Sequence, residues 1–229
     1  MQPVLLKASR LSKAYDGILV VDNVSFEVGQ GETLGLFGKS GSGKSTIGKC
    51  LTGLEKPSGG EILFRDKNIL KMGRREFSKV RPKIQMIFQH PETSLDPRMT
   101  AYQSITEPMQ VQKLAGKVSM RSEVLRLADL VGLREEHLIR YPRQLSGGEI
   151  QRIVLARILS LKPEFIVADE PTSMLDVSVQ AQILRLMQKI QDETGVSYLL
   201  ISHDQEVLRA VCDRIAFIDG GRITAIEKV

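Results

Sequence analysis

Gly38-Lys39-Ser40-Gly41-Ser42-Gly43-Lys44-Ser45-Thr46 fits the pattern G-x-x-x-x-G-K-[ST]. Glycine at these places lets backbone N–H groups close on phosphate oxygens, and a helix opening at Lys44 points its positive end at the same anion. In this motif the lysine, Lys44, reaches the β- and γ-phosphates, and Ser45 places its hydroxyl on Mg2+. The flanks agree. Thr33–Phe37 is a short apolar strand feeding the loop, and 44–54 reads as a helix closed by Gly53 and the turn Pro57-Ser58-Gly59-Gly60. The expected ligand is a nucleoside triphosphate.

Outward from the loop the chain alternates strands and helices. Residues 5–8 and 20–28 read as strands, with Asp16-Gly17 and Gly29-Gln30-Gly31 as turns, and 61–64 and 84–88 follow. From about 100 to 140 the pattern is helical, most clearly at 122–131, where Val124, Leu125, Leu127, Ala128, Leu130 and Val131 form an apolar face. Helices are predicted over 147–161 and 177–190, strands over 165–168, 196–201, 214–218 and 222–226, with a short helix after 201. Such alternation implies an α/β fold with a mainly parallel sheet covered on both faces, and the helical middle reads as an inserted subdomain.

The 229 residues suffice for one domain, or one domain with a subdomain. No apolar run approaches a membrane span, and 1–7 lacks the apolar core of a secretory signal, so a cytoplasmic chain is expected. Cys50 and Cys212 suit a reducing compartment and read as small buried hydrophobes. The net charge of +5 is scattered and no aromatic-basic motif accompanies it, so nucleic acid is not expected as a partner.

Two later segments carry chemistry. Phe165-Ile166-Val167-Ala168-Asp169-Glu170 is an apolar strand ending in two carboxylates and is similar to the Walker B strand: Asp169 would hold Mg2+ and Glu170 would act as general base on the attacking water. Leu145-Ser146-Gly147-Gly148-Glu149 resembles the signature of ABC-type ATPases. With these motifs in order, the chain resembles the nucleotide-binding subunit of an ABC transporter over almost every residue. The resemblance implies that Tyr15 stacks on adenine and that Gln89 senses the γ-phosphate and Mg2+ while facing a membrane subunit. It implies further that Ser146, Gly147 and Gly148 cap the γ-phosphate of a partner subunit, that Asp176 lies at the dimer interface, and that His203 is the switch histidine. Catalysis would be shared: each site is complete only when two subunits meet head to tail around ATP, and hydrolysis lets them part.

The stretch from Phe88-Gln89-His90-Pro91 through Ser94-Leu95-Asp96-Pro97-Arg98, and the run Leu175-Asp176-Val177-Ser178-Val179-Gln180, resemble the peptide/nickel importer branch. That implies two integral-membrane permeases, a second ATPase subunit, identical or homologous, and an extracytoplasmic binding protein. It also implies a seat on the cytoplasmic face of the membrane. Cargo in the branch includes peptides, nickel and metal chelates. Glu149, Met174 and His90 depart from the branch's usual residues without removing a catalytic group. No iron–sulfur cluster is expected in a chain ending at Val229 with two distant cysteines. The expected architecture is a P-loop NTPase core with an N-terminal antiparallel β subdomain and an inserted α-helical subdomain. In numbers, 1–90 and 160–229 would form the α/β core and 91–159 the helical subdomain with the signature. The alternative reading is a soluble ABC ATPase serving an enzyme complex such as phosphonate degradation.

Overall fold

The computed structural model describes residues 3–113 and 120–229, so the part of the expected helical stretch at 114–119 lies outside the described residues. The chain divides into two compact units, one of residues 1–86, 164–170 and 191–229, the other of 87–163 and 171–190.

The first unit holds two sheets. Strands β1 (Val4–Tyr15), β2 (Ile18–Gly29), β4 (Gly59–Phe64) and β5 (Lys67–Asn68) make an antiparallel sheet of order β2-β1-β4-β5. The second sheet has the order β10-β9-β3-β8-β7-β6. Its strands are β3 (Thr33–Phe37), β6 (Ile84–Ile87), β7 (Phe165–Asp169), β8 (Ser197–Ser202), β9 (Arg214–Asp219) and β10 (Arg222–Lys228). β3 pairs parallel with β8 and β9, β7 pairs parallel with β8, and β10 closes back antiparallel on β9. The first of the helices, α1 (Lys44–Leu51), follows β3, and Leu34, Leu36, Ile47, Leu51, Val167, Leu199 and Ile201 bury into one core with Leu6, Leu11 and Val28 of the other sheet. Leu34–Phe37 of β3 and Phe165–Ala168 of β7 carry no polar side chain because the sheet is covered on both faces, which removes the period-2 alternation.

β1 runs well beyond the expected 5–8. Its second half is rich in polar side chains and carries ladder irregularities around Arg10, whose φ is +49°, so the apolar alternation fades while the pairing continues. Helix α2 (Arg74–Val80) was not predicted: it buries no residue fully, so it carries no apolar stripe to read. Glu32 links the strand ends, bonding Arg214 at 2.6 Å and accepting the Gly29 N–H at 2.6 Å.

In the second unit, helices α3 (Ala101–Val111), α4 (Met120–Val131) and α5 (Glu135–Leu138) precede α6 (Gly147–Leu159), which packs on α3 and α4. Of the stripe read from sequence, Val124, Leu127, Ala128, Leu130 and Val131 are buried and Leu125 is half-buried. Arg157 of α6 bonds Glu107 of α3 at 2.6 Å and the carbonyl of Ser94. Residues 171–190, assigned from sequence to the α/β core, group with this unit. After β7 the chain leaves the sheet, and the start of α7 (Val177–Thr194) lies on the start of α6: a Cβ on Gly148 would stand 2.8 Å from Val179 and one on Gly147 would stand 3.1 Å from Leu175.

Candidate nucleotide site

The loop between β3 and α1 is shaped by contacts that leave no room for side chains. Gly43 has φ +98°, and a Cβ there would meet the Val20 carbonyl at 2.7 Å. A Cβ on Gly38 would meet the Ile218 carbonyl at 2.5 Å. The glycines therefore answer to the strands packed behind the loop as well as to any ligand. Ile47 N–H makes the bond to Gly43 O that opens α1, so the N–H groups of Lys44, Ser45 and Thr46 are among those a helix start leaves without an intrahelical acceptor. Ser42 Oγ is buried and has no hydrogen-bond partner among the described residues. A glycine cradle, free helix-end donors and an orphaned hydroxyl suit a polyphosphate.

Lys44 Nζ donates to the carbonyls of Gly38, at 2.7 Å, and Lys39, at 2.8 Å. Burial pulls its pKa down, against the carboxylates of Glu170 and Asp169, which pull it up. Asp169 ends β7 and accepts from Ser45 Oγ at 3.0 Å. Burial raises its pKa, the Ser45 hydroxyl lowers it, and neighbouring Glu170 raises it again. A buried carboxylate beside a hydroxyl is an all-oxygen donor set, which fits Mg2+. Glu170, the next residue, sits at φ +46° with its N–H bonded to Ile201 O at 3.0 Å, so the chain turns sharply just past the sheet. Its Oε1 lies 3.1 Å from Nδ1 of His203, which follows β8. The fold thus brings Lys44, Ser45, Asp169, Glu170 and His203 together from three parallel strand ends.

Tyr15 closes β1 and is exposed, with Lys13 Nζ 4.7 Å from its ring centroid. Its hydroxyl bonds the Glu55 carboxylate, which, with partial burial, raises the phenol pKa, while the Thr46 hydroxyl works the other way. Lys39, Ser40 and Gly41 form the exposed crest of the loop.

Gln89, Ser146, Gly147, Gly148 and Asp176 belong to the second unit. Gln89 is exposed. Ser146 caps α6 in a reciprocal box: its Oγ accepts the Glu149 N–H at 3.4 Å and Glu149 Oε2 accepts the Ser146 N–H at 2.7 Å. The Asp176 carboxylate accepts the Val179 N–H at 3.0 Å, capping α7. His137 was missed from sequence. Its Nδ1 accepts the Arg134 N–H at 3.0 Å, so Nε2 carries the hydrogen that meets Glu149 Oε1 at 3.1 Å. Glu55 was missed as well: it lies outside the nucleotide motifs and its partner Tyr15 is 40 residues away in sequence.

The ABC transporter family model matches residues 21–173. The chain is 46% identical over 210 residues to the oligopeptide transport ATP-binding protein OppF of Streptococcus mutans, covering 91% of this chain and 68% of that one.

The chain belongs to the ABC transporter family.

The dipeptide transport ATP-binding protein DppF of Escherichia coli is another relative, 44% identical over 219 residues, or 96% of this chain and 63% of that one. Among solved structures, cbiO1 of Clostridium perfringens, part of the ABC transporter complex cbiONQ, superposes with a TM-score of 0.88 at 27% identity, over 99% of this chain and 89% of that one. The ATP-binding cassette MJ0796, solved as a dimer in a post-hydrolysis state with ADP and Pi, gives 0.86 at 30% identity over 98% of each chain. The fold is that of an ABC ATPase: an antiparallel sheet beside a mainly parallel P-loop sheet, with helices. Among the described residues no helix is long and apolar enough to cross a membrane.

Proposed function

We propose that this ABC ATPase is the ATP-hydrolysing subunit of a peptide importer. The observation that carries the chemistry is the pairing of Ser45 with Asp169 and of Glu170 with His203 around the Lys44 loop. In this reading ATP lies with its phosphates on 38–46 and its adenine on Tyr15. Lys44 turns from its loop carbonyls to the β- and γ-phosphates. Ser45 and Asp169 would hold Mg2+, which when bound would neutralise phosphate charge and polarise the γ-phosphoryl group. Glu170 takes a proton from the attacking water, oxygen bonds to the γ-phosphorus, and the bond to the β–γ bridging oxygen breaks, releasing ADP and phosphate. A carboxylate only accepts, so His203 Nδ1–H holds Glu170 in orientation.

Ser146, Gly147 and Gly148 at the α6 N-terminus would face the γ-phosphate of a second ATPase subunit, with Asp176 at the same interface. Two ATPase subunits would close on ATP and open after hydrolysis, driving two integral-membrane permeases from the cytoplasmic face, with cargo delivered by an extracytoplasmic binding protein. The peptide-transport names of OppF and DppF favour this over the soluble enzyme-complex alternative. The test is purification of a tagged Glu170→Gln variant from membranes solubilised with ATP and Mg2+. Co-purifying polytopic permeases are the expected result. Soluble enzymes without a permease would overturn the transport reading.

A further inference from the structure

Tyr15 is held by more than its own strand. Glu55 accepts from its hydroxyl and also lies 3.8 Å from Lys13 and 3.5 Å from Lys49. Lys13 in turn donates to the Lys56 carbonyl at 2.9 Å and covers one face of the Tyr15 ring at 4.7 Å. Glu55 itself is placed by the end of the phosphate-loop helix. Gly53, at φ +69°, reverses the chain there, and the N–H groups of Leu54 and Glu55 both return to the Lys49 carbonyl, at 2.9 and 3.1 Å. The Tyr15 phenol is thereby tied to Glu55, which sits just beyond the C-terminal end of α1. A helix is stiff over its length, so the bond to Glu55 beyond α1 helps set the distance from phosphate cradle to ring.

We infer that Glu55, with Lys13, is a positioning residue that locks the Tyr15 ring at a set reach from the phosphate loop and leaves one ring face for the nucleobase. The inference rests on the proposed stacking of adenine on Tyr15. An unlocked tyrosine must lose rotamer freedom when a base stacks, whereas this one is already ordered, so the lock favours ligands that carry a base over those that carry phosphates alone.

The experiment compares the dissociation constants of ATP and inorganic tripolyphosphate, both with Mg2+, by calorimetry; their ratio reports what the base contributes. Tyr15→Ala should collapse the ratio. Tyr15→Phe, which keeps the ring and removes the hydroxyl, and Glu55→Ala should each lower the ratio several-fold with tripolyphosphate binding unchanged. The double variant should lose no more than either alone, because both cut the same bond. Glu55→Gln, which keeps an acceptor, should restore most of the ratio. If Tyr15→Ala leaves the ratio intact, the stacking reading fails and the inference with it. If Tyr15→Ala lowers it and Glu55→Ala and Tyr15→Phe do not, the lock alone is overturned. Equal loss of ATP and tripolyphosphate in Glu55→Ala would make Glu55 a structural support of α1 and overturn the positioning role.

Discussion

Lys44 spans the gap between two carbonyls of its own loop, where burial makes its charge costly and the two carbonyls and two nearby carboxylates offset that cost. A polyphosphate is a stronger partner than a carbonyl, since both ends of the hydrogen bond are then charged. Lys44→Ala should weaken ATP binding by about 10- to 100-fold, the worth of one hydrogen bond to a charged group, as read by calorimetry. Glu170→Gln is different: an amide can hold the same place beside His203 but takes no proton. Turnover should fall by about 10²- to 10⁴-fold with ATP affinity kept, and phosphate release at the parent rate would remove Glu170 as base. At Gly43 the positive φ and the Val20 carbonyl act together. Gly43→Ala should cost at least about 1–2 kcal/mol for the left-handed backbone, visible in urea unfolding before any nucleotide is added.

At the scale of elements, α6 depends on its first turn. Ser146 and Glu149 satisfy each other's N–H groups, and His137 and the negative carboxylate at the helix start add to this. Ser146→Ala should lower stability by about 1 kcal/mol in chemical denaturation. The same box sets a pH dependence. Hydrogen bonds from the Ser146 N–H hold the Glu149 pKa below its ordinary 4.5, and the Arg126 guanidinium does the same for Glu123 of α4. A carboxylate depressed on folding adds stability that is complete above pH 4.5 and is lost as pH falls through the folded value. The urea midpoint should therefore drop on acidification below about 4.5, and Glu149→Gln should flatten part of that drop. Gly147 and Gly148, proposed to cap a partner's γ-phosphate, also serve packing: Gly148→Ala would push into Val179 at the start of α7.

At the scale of the whole molecule, the proposed cycle makes oligomeric state a function of ligand. The Glu170→Gln variant with ATP and Mg2+ should run at the mass of a dimer in light scattering, and chelation of Mg2+ with EDTA should return it to the monomer. A mass that ignores both ligand and chelator would count against the shared site. The buried thiols take no part, since burial raises Cys50 to about 11 and Cys212 to about 12, and alkylating reagents should leave the folded protein unmodified.

Much of this molecule was legible in the chain itself. The strand Thr33–Phe37, the glycine loop and the helix after it were readable because their signals are local: an apolar run, glycines at set intervals and a closing Gly53 with the turn beyond it. The carboxylates at the end of β7 and the signature at the start of α6 were readable for the same reason. Local signals failed where an element shows no periodic apolar face, as in α2, or where pairing outlasts alternation, as in β1. Only the tertiary structure decided that 171–190 leave the sheet to pack on α6, that Glu170 turns at positive φ, and that His203 meets it. It also decided the partners of Glu55 and His137. A motif records what a backbone segment does within a few residues of itself; the contact of a single polar side chain with one that lies tens of residues away depends on where the packed core sets the two backbones, and no local pattern carries that.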